Sequence, residues 1–245
     1  MKPETLKEIL EWKPPNTTPI ISDGILLPKS KLILFGMWGS LKSMTAMHTA
    51  FCIASGKDWF GFKTKKTTTL LIQLEIPKAE YRNRLIKYIR GNSVTPDNLW
   101  LVNESIIKLD RDYGFRQLEQ VISLIHPGLI IIDPIYRILS GDITRGYDVG
   151  QLLDNLEHTM INDGVSYILV GHTKKFIPEL VWNWGQELIG SSYFQDWTHT
   201  AIYLEREANT YNINLKFVKA DLADRILPDK KVSIDRDTLR FTSII

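Results

Sequence analysis

The sequence has one cysteine, Cys52, in 245 residues, so no disulfide can form within the chain. Neither sign of charge dominates, because 30 Lys and Arg residues stand against 28 Asp and Glu residues and the formal net charge is +2. This balance excludes a strongly basic surface over the whole molecule, so any contact with nucleic acid must be local. No run is apolar for the length that a membrane span needs. These absences together predict a protein of the reducing cytoplasm without a membrane partner.

The chain does contain a glycine-bearing loop between an apolar run and a helical run. Residues 32–35 are apolar, the loop GMWGSLKS occupies 36–43, and a helical pattern covers 44–54. A phosphate-binding loop requires this context, because backbone N–H groups and the helix N-terminus converge there on an anion. Lys42 is expected to reach the β- and γ-phosphates of ATP, and the Ser43 hydroxyl to bind Mg²⁺. The residues expected to contact the nucleotide are Gly36, Trp38, Gly39, Ser40, Leu41, Lys42, Ser43 and Met44.

The loop departs from the pattern G-x-x-x-x-G-K-[ST] at one position. Gly36, Lys42 and Ser43 are in register, but Leu41 stands where the second glycine belongs, and Gly39 lies two positions earlier. A leucine side chain restricts the backbone where glycine is permissive. The alternative is a strand–turn–helix with a chance Lys-Ser pair, so the other parts of a nucleotide site must be sought elsewhere in the chain.

Apolar runs alternate with amphipathic stretches along the first 172 residues, which is the pattern of a parallel α/β sheet. Strands are predicted over 31–36, 69–75, 99–102, 129–133 and 166–172. Helices are predicted over 44–55, 77–91, 115–125 and 149–161. The fourth strand is almost entirely apolar, which is typical of a strand buried on both faces and therefore of a sheet covered by helices.

The pattern changes after the fifth strand. The segment 173–192 has no clean period and is predicted to be a long loop. Strands at 200–207, 211–219 and 232–244 follow without helices between them, so they are predicted to extend the same sheet in antiparallel fashion. We expect residues 25–245 to form one domain, and residues 1–24 to form an N-terminal arm with a short helix.

Polar side chains stand at the carboxyl ends of three further predicted strands, namely Glu75, Asp133 and His172. Ligands of open parallel sheets bind at this edge, so these side chains are expected to gather around the phosphates. Asp133 fits an aspartate that supports Mg²⁺, often through water. The alternative is an aspartate that begins a turn before Pro134.

Glu75 and His172 each allow two interpretations. Glu75 fits a general base that orients the attacking water, or a carboxylate that precedes the helix after Pro77. His172 fits a sensor that hydrogen-bonds the γ-phosphate and passes the change to the following loop, or a satisfied strand-end histidine. Phosphoryl transfer needs a group that places the water, and no other acid of the sequence is so well placed as Glu75.

These motifs resemble those of RecA-like P-loop ATPases of the DnaB/RepA-type hexameric helicase group. The resemblance runs from about residue 25 to residue 219. It is carried by LLPK (26–29), GMWGSLKS (36–43), LE (74–75), IIIDP (130–134), GHTKK (171–175) and GSS (190–192) leading to Asp196-Trp197. In this group, residues other than glycine also occur before the lysine of the loop.

The resemblance implies an α/β fold of the RecA-like P-loop NTPase kind, with a mostly parallel central sheet flanked by helices and a C-terminal antiparallel extension. It implies that Lys42 and Ser43 bind phosphate and Mg²⁺. Glu75 would activate water, Asp133 would support the metal and His172 would sense the γ-phosphate. It further implies ATP sites between the subunits of a homo-oligomeric ring, most simply a hexamer, with single-stranded DNA in its channel and other replication proteins as further partners.

One departure from this group concerns the residues donated to a neighbour's ATP. Relatives usually carry a Lys-x-Arg pair after the strand that corresponds to 211–219. In this chain Lys219 matches the lysine, Asp221 replaces the arginine, and Arg225 lies four residues further on. An arginine finger stabilises transition-state charge, so its loss argues against strong, oligomer-dependent hydrolysis. Arg82 and Arg84 are the alternative source of such a charge.

Two predicted loops, 136–147 and 173–192, combine cations with aromatic residues. The candidate nucleic-acid contacts are Arg137, Arg145, Lys174, Lys175, Trp182 and Trp184. Cations follow the phosphates of a single strand and aromatic rings stack on its bases. The alternative is that Trp182 and Trp184 pack under the second loop as a lid.

The sequence therefore predicts a DNA-dependent ATPase motor resembling the replicative helicase of a small replicon. The alternative is a non-translocating ATP-dependent regulator or recombination mediator, in which nucleotide switches assembly, and the missing arginine favours it. A small-molecule kinase is a third interpretation, which the C-terminal antiparallel extension fits poorly.

Overall fold

The computed structural model describes residues 3–13, 17–103, 106–173 and 192–244. The strands are β1 (Lys31–Gly36), β2 (Thr69–Gln73), β3 (Leu99–Asn103), β4 (Leu129–Asp133), β5 (Ser166–His172), β6 (Thr200–Arg206), β7 (Asn212–Ala220), β8 (Lys230–Ile234) and β9 (Phe241–Ser243). The helices are α1 (Leu6–Glu11), α2 (Lys42–Ser55), α3 (Lys78–Asn92), α4 (Asp112–Ile125), α5 (Gly146–Asp163) and α6 (Ser192–Trp197), with a 3₁₀ helix at Ile135–Ile138. None of these helices is long and apolar enough to cross a membrane.

All nine strands form one sheet in the order β3-β2-β4-β5-β1-β6-β7-β8-β9. The first six strands in this order are parallel, and the pairs from β6–β7 onward are antiparallel. The predicted fold class is therefore confirmed, with the refinement that β6 pairs with β1 in parallel and the antiparallel extension begins at β7.

The prediction of a single strand over 232–244 is wrong. The structure has two antiparallel strands there, β8 and β9, with Ile234 paired to Phe241. The Asp235 carboxylate accepts hydrogen bonds from the backbone N–H groups of Asp237 and Thr238, at 3.0 and 2.7 Å, and from the Thr238 hydroxyl at 2.6 Å. These bonds close a turn inside a run that has no Gly or Pro to mark it.

Helices cover both faces of the sheet. Successive strand residues point to opposite sides, so each buried strand gives apolar side chains to both faces. On one face, Leu34 of β1 and Ile131 of β4 pack with residues of α2 and α3. On the other face, Phe35 and Ile132 pack with residues of α4 and α5. The central strands are buried throughout, which explains their continuous apolar runs.

The N-terminal segment has an exposed part and a buried part. All of α1 is exposed, and its first turn is closed by a capping box in which Thr5 and Glu8 bond each other's backbone N–H groups. Ile20 and Ile21 are buried in the core, and Ile21 forms bridges with Leu26 and Thr64. The last residues of this segment therefore contribute to the packing of the sheet domain.

Candidate active site

The residues singled out in the sequence meet at the carboxyl edge of the parallel strands. The strands β2, β4, β5 and β1 are adjacent in that order. Glu75, Asp133, His172 and the loop 36–43 therefore lie side by side along one edge of the sheet. This is the edge at which open α/β sheets bind ligands.

The loop 36–43 turns tightly, and two of its glycines are required by its path. A Cβ atom at Gly36 would lie 2.4 Å from the Leu204 carbonyl oxygen and 2.7 Å from Ser40 Oγ, so only glycine fits between the loop and β6. Gly39 has a φ of +78°, in the left-handed region that glycine adopts without steric cost. Both positions allow the backbone to curl where a phosphate would lie.

Leu41 occupies the position at which the phosphate-loop pattern has its second glycine. Its backbone adopts φ 63° and ψ 26°, the left-handed conformation, just before α2 begins. A non-glycine residue in this region costs about 1–2 kcal/mol. The side chain is partly buried against the core on the α2 face, and this packing offsets part of the strain. The leucine thus preserves the backbone path that the glycine usually provides.

The Lys42 ammonium group is held inside the loop. Its Nζ donates to the carbonyl oxygens of Gly36 and Met37, at 2.9 and 2.6 Å, and lies 3.3 Å from Ser40 Oγ. Burial lowers the pKa of Lys42 to about 8, while the nearby carboxylates of Asp133 and Glu75 oppose this shift. A partly desolvated cation surrounded by loop carbonyls is poised to exchange those partners for phosphate oxygens.

Ser43 and Asp133 lie close together, which is the arrangement expected of two groups that share a metal shell. The Ser43 hydroxyl lies within range to hydrogen-bond the buried Asp133 carboxylate. Burial raises the pKa of Asp133 to about 6, and the Ser43 bond works in the opposite direction. Glu75 also raises the pKa of Asp133, whereas Lys42 lowers it. The two carboxylates and the lysine therefore lie close enough to interact electrostatically.

Glu75 and His172 both lie against Tyr136, which no motif of the sequence singles out. The Tyr136 hydroxyl donates a hydrogen bond to Glu75 Oε1. The ring centroids of Tyr136 and His172 are 5.7 Å apart. Partial burial, and secondarily the Lys42 charge, lower the pKa of His172. Glu75, the expected base, and His172, the expected phosphate sensor, thus both contact the same tyrosine.

Two buried polar atoms near Asp133 have no hydrogen-bond partner among the described residues, namely Gln73 Nε2 and Tyr81 Oη. Gln73 is paired with Asp133 across β2 and β4. The side chains of Gln73 and Asp133 point to the α2–α3 face, because Leu71 and Ile131, two residues before them on the same strands, pack there. Burial raises the pKa of the Tyr81 hydroxyl, and the nearby Asp133 carboxylate adds to this shift. Such unpaired groups fit a hydrated Mg²⁺ ion, whose water ligands would bond them.

A cavity of about 750 Å³ opens beside the loop, lined by residues 37–40 and 203–209. Trp38 is 91% exposed at its mouth. Arg206 Nη1 donates to the Gly39 carbonyl oxygen at 3.3 Å, and its guanidinium lies 4.7 Å from the ring centroid of Tyr211. The cavity has the size and the exposed aromatic surface to hold the nucleoside of a bound nucleotide.

Lys219 lies at the opposite end of the strands from the loop, since it pairs with Ala201 near the start of β6. Its Nζ donates to the carbonyl oxygens of Gln195 and Thr198 and forms an ion pair with Asp221 at 3.1 Å. The side chain cannot reach the phosphate site of its own chain. Any contact of Lys219 with nucleotide must therefore involve a second copy.

The other candidate cations are spread over the surface. Arg225 pairs with Asp23 at 2.6 Å. Arg84 is close enough to Asp133 to lower the pKa of that carboxyl, whereas Arg82 is exposed with no partner among the described residues. Arg84 is the arginine of α3 that the structure places near the site.

The predicted nucleic-acid contacts are described only in part. Arg137 lies 5.7 Å from the ring centroid of Tyr136, next to the site, and Arg145 is exposed and 3.7 Å from Asp142. The remaining four residues, Lys174, Lys175, Trp182 and Trp184, lie outside the described residues.

Comparisons with known proteins agree with this geometry. The sequence model of the family described as AAA domain matches residues 2–176, well over half of the chain. No curated protein matches the chain. Among solved structures, the KaiC-like protein PH0186 from the hyperthermophilic archaeon Pyrococcus horikoshii OT3 is similar, with a TM-score of 0.59 and 13% sequence identity, over 92% of this chain and 94% of that chain. At this identity the likeness shows a shared fold.

Proposed function

This chain belongs to the AAA domain family and has the fold of a RecA-like P-loop ATPase, and from this we propose that it binds ATP with Mg²⁺ and hydrolyses it. The proposal rests on one observation. Ser43, Asp133 and Glu75 lie within electrostatic or hydrogen-bonding range of one another at the loop that holds Lys42. These groups form the site of phosphoryl transfer to water, a reaction catalysed mainly by positioning and charge.

Each residue has one part in the proposed reaction. Backbone N–H groups of the loop and the start of α2 bind the phosphates, and the Lys42 ammonium binds the β- and γ-phosphate oxygens. The Glu75 carboxylate accepts a proton from the attacking water and orients it towards the γ-phosphorus. His172 hydrogen-bonds the γ-phosphate and responds to its release. Ser43 and Asp133 would hold Mg²⁺, which when bound supplies positive charge to the phosphate oxygens.

The nucleoside would occupy the cavity beside the loop. The exposed indole of Trp38 offers a stacking surface to a base. Glu205 and Glu207 line the cavity wall and are paired with Lys216 and Lys231. The remaining lone pairs of their carboxylates can accept hydrogen bonds from ribose hydroxyl groups or from the exocyclic amine of adenine. This arrangement extends the phosphate site towards β6 and β7.

We propose further that the protein assembles into a homo-oligomeric ring, most simply a hexamer, and acts on single-stranded DNA as a replicative-helicase-like motor. The position of Lys219 supports assembly, because this lysine is able to serve only a neighbour's nucleotide. The position of Arg137 supports a link between DNA and catalysis, because its guanidinium lies 5.7 Å from the ring centroid of the tyrosine that contacts Glu75. Other replication proteins would be further partners.

One observation favours the second candidate, a non-translocating ATP-dependent regulator or recombination mediator. Asp221 occupies the position at which an arginine finger is expected, and it forms an ion pair with Lys219. An acid there neutralises the lysine that would serve a neighbour's site. Hydrolysis would then be slow and would serve to time assembly.

The rate of ATP hydrolysis with and without single-stranded DNA, measured alongside the mass in solution, separates the two candidates. A motor is expected to form a ring and to hydrolyse ATP faster when DNA is present. A regulator is expected to hydrolyse ATP slowly at a rate that DNA does not change. The variant Arg137→Ala should reduce the DNA stimulation of a motor, whereas Arg236→Ala, on the turn between β8 and β9, is the matched control.

A further inference from the structure

Tyr136 lies where three parts of the proposed site meet. It belongs to the 3₁₀ helix that follows β4, and β4 lies between β2 and β5 in the sheet. A residue just beyond β4 can therefore reach the residues that follow both neighbouring strands. Tyr136 does so, with its hydroxyl on Glu75 Oε1 and its ring 5.7 Å from that of His172.

The backbone around Tyr136 is fixed to the core, while its side chain stays at the surface. Ile135 and Ile138 on either side are buried. The Lys108 ammonium donates to the carbonyl oxygens of Arg137 and Leu139 at 2.8 and 2.7 Å. Tyr136 is 37% exposed, and the Arg137 guanidinium lies 5.7 Å from its ring centroid. A ligand that binds Arg137 would therefore act directly on the Tyr136 ring.

The hydrogen bond to Tyr136 opposes the role assigned to Glu75. A general base needs a free carboxylate oxygen, and one oxygen of Glu75 is occupied by the phenol. The bond also holds the carboxylate against a segment whose backbone is fixed to the core, so the carboxylate is not free to turn towards the attacking water. The contact therefore holds Glu75 in a less reactive arrangement for as long as it persists.

We propose that Tyr136 is a positioning residue that restrains Glu75, and that a nucleic-acid strand bound at Arg137 releases the restraint. The inference rests on the proposed ATPase function and adds a cause for DNA stimulation. The strand draws the side chains of Arg137 and Tyr136 away from Glu75 while their backbone stays in place. Glu75 is then free to take the proton of the attacking water. The proton then passes from water to the carboxylate as the bond from water oxygen to the γ-phosphorus forms and the bond to the β-phosphate bridging oxygen breaks.

The test is the steady-state hydrolysis of ATP by Tyr136→Phe in the absence of DNA. The phenylalanine keeps the ring beside His172 and removes only the hydroxyl. We expect kcat without DNA to rise about ten-fold with KM unchanged, which is the effect of losing one hydrogen bond to a charged group. Added poly-dT should then stimulate the variant much less than the wild type. A loss of structure would lower kcat and cannot produce this rise.

Two controls connect the effect to the contact. Tyr113→Phe removes the hydroxyl of an exposed tyrosine on α4 whose hydroxyl contacts only Gln117 among the described residues, and it should behave as the wild type. The double variant Glu75→Gln/Tyr136→Phe should show no rise, because the restraint acts through Glu75.

The outcomes separate the two proposals. An unchanged or lowered kcat for Tyr136→Phe, in a wild type that hydrolyses ATP, overturns the restraint and assigns the hydroxyl an orienting role or none. A wild type that binds ATP without hydrolysing it, beside an active Tyr136→Phe, supports the restraint. If neither protein hydrolyses ATP, the proposed function fails and the restraint fails with it.

Discussion

At the scale of single residues, Leu41 shows how a motif can lose a glycine and keep its backbone. The left-handed conformation at this position is set by the turn from the loop into α2, and the leucine adopts it. The sequence alone pointed to a conflict between side chain and backbone. The structure shows that the partly buried side chain packs on the core, so its burial offsets part of the strain.

This view of Leu41 leads to a prediction for two substitutions. Leu41→Val places a β-branched residue in the left-handed region, where it is a steric outlier, so we expect ATP affinity to fall about ten-fold and stability to drop by about 1–2 kcal/mol. Leu41→Gly restores the usual pattern and should keep ATP affinity within about two-fold. Titration with a fluorescent ATP analogue and thermal unfolding check both. Equal affinity for both variants would contradict the role given to the backbone.

A second residue-scale prediction concerns His48, which is buried on α2 with its Nδ1 2.7 Å from the Tyr88 hydroxyl. Burial lowers the pKa of His48 from 6.5 to about 3. Below pH 6.5 the unfolded chain takes up a proton that the folded protein does not bind. The stabilising contribution is therefore complete above pH 6.5 and is lost as the pH falls towards 3.

The measurement is the free energy of unfolding by urea between pH 7.5 and pH 5. His48→Gln keeps a hydrogen-bonding side chain and cannot titrate. We expect the wild-type curve to fall more steeply than that of His48→Gln, by up to about 1.4 kcal/mol per pH unit. His158→Gln, which removes an exposed imidazole on α5, is the control. If the free energy of unfolding falls equally steeply with pH in the wild type and in His48→Gln, the His48 imidazole does not cause the pH dependence.

At the scale of elements, the sequence was most informative where strands are buried on both faces. The apolar runs of β1, β4 and β5 located those strands to the residue, because such runs leave little freedom in the choice of boundaries. The C-terminal hairpin was missed for the opposite reason. The turn residues 235–240 include neither Gly nor Pro, so no strong turn signal interrupts the run.

The packing of α3 on that hairpin could not be predicted from the sequence either. Gly91 was expected to end α3, yet the helix continues to Asn92 and Ser93 is its left-handed C-cap. A Cβ atom at Gly91 would lie 2.1 Å from the Thr238 carbonyl oxygen. The glycine is needed because the turn between β8 and β9 packs directly on the helix.

This close approach predicts opposite effects for two helical glycines. Gly91→Ala should destabilise the protein by about 1–3 kcal/mol, because the helix or the turn must move. Gly150→Ala, on α5 where no described atom lies within 4 Å of the added methyl group, should stabilise it by about 0.5–1 kcal/mol. Calorimetric melting temperatures give the comparison, at about 2–4 °C per kcal/mol. A Gly91→Ala variant as stable as Gly150→Ala would contradict the described contact.

At the scale of the whole molecule, the order of the strands decides which residues form the site. Glu75, Asp133 and His172 were recognisable from the sequence because each ends an apolar run. Tyr136 was not, since its contact with Glu75 depends on β4 lying between β2 and β5, and no local spacing encodes that order. For the same reason, the sequence could not predict that Gln73 Nε2 and Tyr81 Oη are buried without a hydrogen-bond partner among the described residues.

The same order separates the two ends of the molecule. The loop and its carboxylates lie at one edge of the sheet, and Lys219 lies at the other, bound to Asp221 and to backbone carbonyls. One copy therefore has the loop at one edge of the sheet and, at the other edge, a lysine that cannot reach that loop. The proposed ring is the assembly that brings these two ends together.

The most direct measurement of the central claim, that ATP is held at Lys42 and hydrolysed by water activated at Glu75, is single-turnover hydrolysis by Glu75→Gln with ATP affinity measured on the same sample. We predict affinity within about three-fold of the wild type and a rate lower by about 10²–10⁴-fold, because glutamine fills the same space without accepting the proton. In parallel, Lys42→Ala should lose ATP binding. A Glu75→Gln variant that hydrolyses ATP at the wild-type rate, or a Lys42→Ala variant that binds ATP normally, would contradict the claim.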